Sequence, residues 1–581
     1  MTEPSSSGTT PVRLIDRLLV RWRAVRIAPS VLVSNPEPRM VGHYARGRQM
    51  IAGNFLIAGE LIEAPGRIPF SARSAEAVDA LHGFEWLDHL AVVGDARARA
   101  LAQSGVLDWI TRYGRGAGPG WVPGLAGRRV IRMIAHALFL LQGMAAQDQT
   151  RLLHSIGLHA DYLARRAARA APGLPRIEAQ VGHLYAALAL EGLSGTVPFV
   201  TRHMVAASEA LIDKDGGIAT RNPEELLQVF ELLGWAAQAL ADQGQTPPKA
   251  LLDQLDRIAG SLRVLRHADG GLARFHGGGR GTEGALAEAL VIHDRLCTQR
   301  LGPVGERAMG YLRLAAGRCT VIIDAAPPPI RAAAGSAHAS TLAFELSSNR
   351  RPVIVSCGDG RSFGADWHRA SRATASHSTL AFEGYSSSRF AARSKARPEL
   401  AEGPRHVGVE LRHAPHKRAV ALSHDGYLAS HGLEHLRYLD LSADGRVLSG
   451  ADTLVAMTKA DKHRFRDVLA RSGGAGVPFA LRFHLHPEAE ASLDMNGTAV
   501  SVALRSGEIW VFRAEGLDLT LAPSVYLEKG RLKPRPSQQI VLSLRALEDT
   551  TQINWSMAKA QETPTALRDL EQDNPLAVPQ L

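Results

Sequence analysis

Apolar residues in this 581-residue chain keep a helical spacing over roughly residues 85–315 and then switch to the spacing of strands. "FEWLDHLAVVGDARARALAQSGVLDWI", "GRRVIRMIAHALFLLQGMA" and "LLHSIGLHADYLARRAARA" each repeat an apolar residue every three to four positions. "HLYAALALEGLSG", "PEELLQVFELLGWAAQALADQG" and "PKALLDQLDRIAGSLRVLRH" extend the series, and each segment closes on glycine, proline or a polar turn. Helical hairpins in succession predict an (α/α) toroid or solenoid.

Near "YLRLAAGRCTVIIDAAPPP" the period changes. "LAFELSS", "RPVIVSCG", "STLAFEG", "YLDLSADGRVLSG", "FALRFHLHP", "TAVSVALRSGEIWVFRA" and "SQQIVLSLRAL" are short strand-like runs, separated in places by turn formers such as "ADG", "MNG" and "RSGE". They predict an antiparallel β-sandwich. The expected fold class is therefore multidomain, α then β. A polar tail and basic amphipathic helix occupy 1–40, the toroid 41–315, the sandwich 316–557 and a tail 558–581. So long a chain exceeds what a single hydrophobic core holds.

Composition narrows the partners. With 45% hydrophobic and 21% charged residues the chain is ordinary for a globular protein, and its net charge of +10 suits a polyanion. The basic residues are scattered and no familiar nucleic-acid motif is present, so nucleic acid is not expected. Cys297, Cys319 and Cys357 lie far apart and form neither a C-x-x-C pair nor a disulfide framework. No secretory leader is read in "MTEPSSSGTT" or after it, so the expected location is the cytoplasm, with the periplasm as the alternative. "VRLIDRLLVRWRAVRI" sets Leu14, Ile15, Leu18, Leu19 and Trp22 at helical spacing. It reads as a helix docked on the first domain, with peripheral membrane contact as the other reading. Nothing in the sequence sets the oligomeric state.

Four clusters carry candidate chemistry. "EAQVGHLYAALALEG" places His183 and Tyr185 on a helix. "DKDGGIATRNPEELL" is a glycine-rich turn in which Asn222 and Pro223 open a helix and Arg221 stands at its mouth, suited to hold a carboxylate. "RHADGGLARFHGGGRG", with Arg274 and His276, reads as a substrate-facing or domain-junction loop whose glycines admit close backbone approach. "SAHASTLAFELSS", read as a strand, gives His338 and Ser340 the parity of Leu342, Phe344 and Leu346, so an imidazole leads the strand on its inward face. "DWHRASRATASHSTL" adds Arg372 and His377, while His484 and His486 of "LRFHLHPE" read as structural.

In this order, the helical segments, "RHADGGLARFHGG", "AHASTLAFELSS", "RPVIVSCG", "RATASHSTL" and "LRFHLHPE" resemble the heparinase II/III family over about residues 40–557. More narrowly they resemble a proteobacterial branch without an export signal. The resemblance implies polysaccharide lyases that cleave uronic-acid-containing chains by β-elimination. Such a reaction needs donors that neutralise the uronate carboxylate, a base for the C5 proton and an acid for the leaving oxygen. It assigns acid–base work to His338, carboxylate neutralisation to His183 and Arg221, and support to His377. Tyr185, Asn222, His276, Arg274 and Arg372 are the expected substrate-binding residues.

The chain departs from the family pattern in three places. Gly182 stands where an asparagine is usual, and no tyrosine follows Arg221-Asn222-Pro223. Ser340 and Ser356 occupy positions where a metal-binding relative would offer an imidazole or carboxylate, leaving His377 by itself. The expectation is therefore no metal and no cofactor. Two functions remain in view: a lyase on an acidic glycan, and a binding protein for an acidic glycan or envelope precursor that has lost catalytic parts. A glycoside hydrolase using Asp213 and Asp215 is a third, weaker reading.

Overall fold

A computed structural model describes residues 12–297, 302–390 and 400–560; the start of the N-terminal polar segment, 1–11, and most of the segment read as a C-terminal tail at 558–581 lie outside the described residues. Residues 14–296 are mainly helical and residues 307–559 mainly strands. The architecture is an (α/α) toroid followed by antiparallel β-sheets.

Local signals set the helix ends. The long segment "FEWLDHLAVVGDARARALAQSGVLDWI" divides into Glu85–Val93 and Ala96–Tyr113, because Gly94 closes the first in the left-handed region and Asp95 caps the second through the Ala98 N–H at 2.7 Å. Helices Pro123–Ala135, Ala146–Arg166, Leu174–Ala189, Val197–Glu209, Pro223–Asp242, Lys249–Val264 and Ala285–Leu296 follow. Helix Leu174–Ala189 packs against 123–135, 146–166, 197–209 and 223–242. A two-stranded hairpin, Asn54–Ile57 with Glu60–Glu63, sits within this helical half, where the sequence was read only for helices.

Among the described residues, three antiparallel sheets of four or more strands build the second half. Arg307–Ala308, Tyr311–Ala316, Cys319–Asp324, Phe344–Ser348 and Arg351–Ile354 pair in chain order. A sheet of eight strands runs from Val407–Leu411 to Ala489–Asp494, and one of four joins Thr520–Tyr526, Arg535–Ala546, Val477–His484 and Leu380–Phe382.

The first sheet divides the two cores. Along Cys319–Asp324 all six residues are buried; Val321 and Ile323 pack into the sandwich core, while Ile322 packs into the helical core. Tyr311 and Leu312 divide the same way. A strand buried on both faces reads as a continuous apolar run rather than as alternation.

One expectation needs correcting, whereas the first helix docks on the helical half as expected. The strand does not extend over 336–348: it begins at Phe344, after Leu342 takes a left-handed φ of +64°, so His338 precedes it in a loop and strand parity does not orient it. The N-terminal helix Leu14–Arg23 docks through Asp16 and Val20, with Asp16 bonded to Arg166 and Arg23 to Asp161. Its apolar stripe faces outward, with Leu14 72%, Ile15 59%, Leu18 56% and Trp22 48% exposed.

Candidate functional site: a basic cleft and a buried imidazole chain

A cleft of about 1150 Å³ opens between the halves. Helix Tyr44–Ile51, Asp79, Arg128 and the loop 266–283 form one wall. The turn at 350–351 and the hairpin 526–536 form the other. Eleven arginines and lysines face seven aspartates and glutamates along this lining. Several are paired, as in Lys529 with Glu224 and Arg280 with Asp269 at 3.0 Å. The Arg46 Nε has no hydrogen-bond partner among the described residues, leaving a buried guanidinium donor in the wall. Burial, countered by Arg128, raises the Asp79 carboxyl to about 6, so this cleft residue can exchange a proton near neutral pH.

Behind the loop lies a chain of imidazoles. The His338 N–H donates to His276 Nδ1 at 3.1 Å, His338 Nδ1 faces His377 Nε2 at 3.3 Å, and His377 Nδ1 meets Ser356 Oγ at 3.1 Å. All three rings are buried, His338 being 1% exposed, and none lines the cleft. Burial holds each below the ordinary histidine value, reinforced for His338 by His377; His377 falls to about 3. The neutral rings fit a dry interior. His338 Nε2 has no hydrogen-bond partner among the described residues.

Asp324 anchors this chain. Its carboxylate pairs with Arg221, accepts the Ser340 hydroxyl at 2.6 Å and lies 3.4 Å from His276 Nε2. Burial alone would push the carboxyl up, but Arg221 and then His276 and Ser340 hold it below the usual carboxylate range. Arg221 also donates to the carbonyls of Met309, Gly310 and Pro327 at 3.0, 3.0 and 2.8 Å. Arg221, His276 and Leu342 carry φ of +52°, +48° and +64°, a conformation costing side-chain-bearing residues about 1–3 kcal/mol each unless packing enforces it.

One loop joins cleft and chain. After His276, a Cβ added at Gly278 would lie 2.7 Å from Asn222 Oδ1, and the Gly279 N–H donates to Glu224 at 2.9 Å. Glycine at 278 is what lets the loop lie against the mouth of helix Pro223–Asp242. Arg274 lines the cleft, yet its guanidinium bonds the carbonyls of Ser356, Cys357 and Leu527 and stacks 3.8 Å over the Tyr526 ring. Its N–H donates to Glu345 at 3.1 Å; that carboxylate also accepts the Ser356 N–H at 3.1 Å and faces His267 at 3.3 Å.

The expected site residues thus separate into groups. His338, His377 and His276 gather. Arg221 holds a carboxylate, but the protein's own Asp324 rather than the uronate it was expected to neutralise, so it is corrected from carboxylate neutralisation to a structural pair. Asn222 caps a helix by accepting from Glu224 and Glu225, and Arg372 grips the carbonyls of Ala337 and Ala334 at 2.7 and 3.0 Å. His183 and Tyr185 neither line the cleft nor hydrogen-bond to the imidazole chain. His183 sits near His203, its pKa lowered to about 4 by burial, and Tyr185 is buried toward Arg39 and Asp242. Asp213 accepts the N–H groups of Asp215 and Gly217 in a turn and lies outside the cleft. Asp324, Glu345, Arg46 and Asp79 were missed. A charge ending "CTVIID" or set within "LAFELSS" was the available signal for the first two.

The sandwich metal that the family resemblance implies does not fit these residues. Ser340 is committed to Asp324 and Ser356 to His377, and no third histidine, cysteine or carboxylate group completes a ligand set there among the described residues.

The toroid followed by antiparallel sheets is the architecture of heparinase-type polysaccharide lyases. Residues 298–556 match the family described as "Heparinase II/III-like, C-terminal". "FtsZ-localized protein C" of Caulobacter vibrioides is 29% identical over 546 residues, covering 92% of this chain and 91% of that protein. Among solved structures, heparinase III superposes with a TM-score of 0.67 at 12% identity, covering 94% of this chain and 89% of that one. A heparan sulfate lyase HepC mutant from Pedobacter heparinus gives 0.58 at 13%, covering 94% and 88%. At these identities the structures establish a shared fold.

Proposed function

We propose that this protein binds a uronic-acid-containing acidic glycan, or an acidic envelope precursor, in the basic cleft, and that it works mainly as a binding protein on a lyase scaffold. One observation carries the reading: the cleft is rich in arginine and lysine, whereas the imidazoles that would perform β-elimination are sealed behind its wall. Sulfate or carboxylate groups pair well with guanidinium donors. The name of the Caulobacter relative supports a place of action where FtsZ assembles. Three free cysteines suit a cytoplasmic address. The outward stripe of the first helix, flanked by arginines, suits peripheral contact with anionic lipid.

A lyase is the second reading, favoured by Asp79. It offers a proton-exchanging carboxyl in the cleft itself, beside arginines able to neutralise a uronate. The test joins an ultraviolet assay for unsaturated uronate product to calorimetric binding, over heparan-type, chondroitin-type, hyaluronan, alginate and bacterial envelope polysaccharides. Binding without absorbance supports the first reading. Absorbance that rises on one glycan and vanishes in Asp79→Asn supports the second, and a glycan that neither binds nor reacts across the panel refutes both.

A further inference from the structure

Away from the cleft, two neighbouring helices of the toroid bring three metal-ligating side chains together. Asp256 stands on helix Lys249–Val264 and His293 on helix Ala285–Leu296. The Cys297 N–H donates to the His293 carbonyl at 2.8 Å, so the helical path continues far enough to bring position 297 one turn beyond 293. A carboxylate oxygen, an imidazole nitrogen and Sγ from these residues all lie within 4.8 Å of one another.

The surroundings suit an ion. His293 is 1% exposed, with Nε2 2.7 Å from Asp256 Oδ1 and Nδ1 3.0 Å from Asp294 Oδ1. A histidine that ligates metal through one nitrogen commonly holds its other N–H on a carboxylate, which fixes the ring and raises its basicity. Asp294 occupies that outer position. Asp256 and Cys297 are partly exposed, leaving an entry path. The carbonyls at the end of helix Ala285–Leu296 also favour positive charge.

We propose that Asp256, His293 and Cys297 bind one zinc-class divalent ion, oriented by Asp294 and with a fourth position open to water. Mixed nitrogen, oxygen and sulfur donors select zinc over magnesium or calcium, which take oxygen. On binding, the proton between His293 Nε2 and Asp256 and the Cys297 thiol proton are both released to solvent, and the ion takes an imidazole nitrogen, a carboxylate oxygen and a thiolate sulfur as ligands. No oxidant or reductant takes part. The ion ties two toroid helices together at a place distinct from the sandwich position of metal-binding relatives, and the inference is independent of the glycan reading.

The test uses untagged full-length protein, stripped with a chelator and titrated with cobalt(II) and then zinc(II). The expected result is uptake of about one equivalent, with a thiolate-to-cobalt charge-transfer band that zinc abolishes. Cys297→Ser should remove the band, and Asp294→Asn should keep it while weakening affinity roughly 10–100-fold. Circular dichroism checks that the variants fold. No one-equivalent uptake by the folded natural protein overturns the proposal without recourse to any variant. So does a band that survives in Cys297→Ser, since the thiolate would then come from elsewhere.

Discussion

Arg221 and Asp324 form a buried ion pair between the two halves of the protein: one precedes a toroid helix, the other ends a strand of the sheet that separates the cores. Each is surrounded by further hydrogen bonds, so neither charge is left bare.

Removing one partner should therefore cost far more than a surface pair would. Arg221→Met leaves Asp324 buried with only His276 and Ser340 nearby, and an expected loss of about 3–5 kcal/mol should appear in urea denaturation. Adding Asp324→Asn should recover part of it. A loss below about 1 kcal/mol, as for an exposed pair, would refute the role given to this contact.

Acid should weaken the protein through the imidazole chain. A histidine held below its ordinary value is neutral when folded, so protonation of the unfolded chain below about pH 6.5 draws the equilibrium toward unfolding. Stability should fall from there toward about pH 3, the value for His377. Within that window His377→Gln should flatten the slope by up to about 1.4 kcal/mol per pH unit. Asp324 acts separately and lower: its contribution is complete above the ordinary carboxylate value and is lost on further acidification. Denaturant midpoints measured across this range in both proteins check the assignment.

Glycan affinity should depend on the donor in the cleft wall. Arg46→Ala is expected to weaken binding of a heparan-type oligosaccharide by about 1.5–3 kcal/mol while leaving stability nearly unchanged. Affinity should also decline with added salt. Calorimetry at two ionic strengths reads both effects, and salt-independent binding would count against a charge-based cleft.

The first helix makes an equally direct prediction. Leu18→Glu with Trp22→Glu should abolish sedimentation with vesicles rich in anionic lipid, because these residues supply the outward stripe. Thermal stability should hold, since Asp16 and Val20 keep the helix docked. Equal sedimentation of natural and altered protein would exclude this contact.

Much of the fold was legible because period and punctuation are local properties. The switch from helical to strand spacing is written in consecutive residues, as are the Gly94–Asp95 break and the Asn222 cap. The site was less so. Arg221 finds its partner 103 positions away, and nothing near either residue names the other. His183 and Tyr185 were correctly seen on a helix, but spacing alone does not say which way that helix turns within the ring. His338 faces inward as parity suggested, but from a loop, because the strand begins only at Phe344. The hairpin at 54–63 was hidden by its shortness, four residues a side among longer helices.

The cleft walls and the imidazole chain use different side chains, linked mainly through the loop from Arg274 to Gly279. The two can therefore evolve at separate tempos. Substitutions on the hairpin 526–536 can reshape the cleft without disturbing the junction. The junction in turn can gain rigidity while the shape of the cleft is conserved.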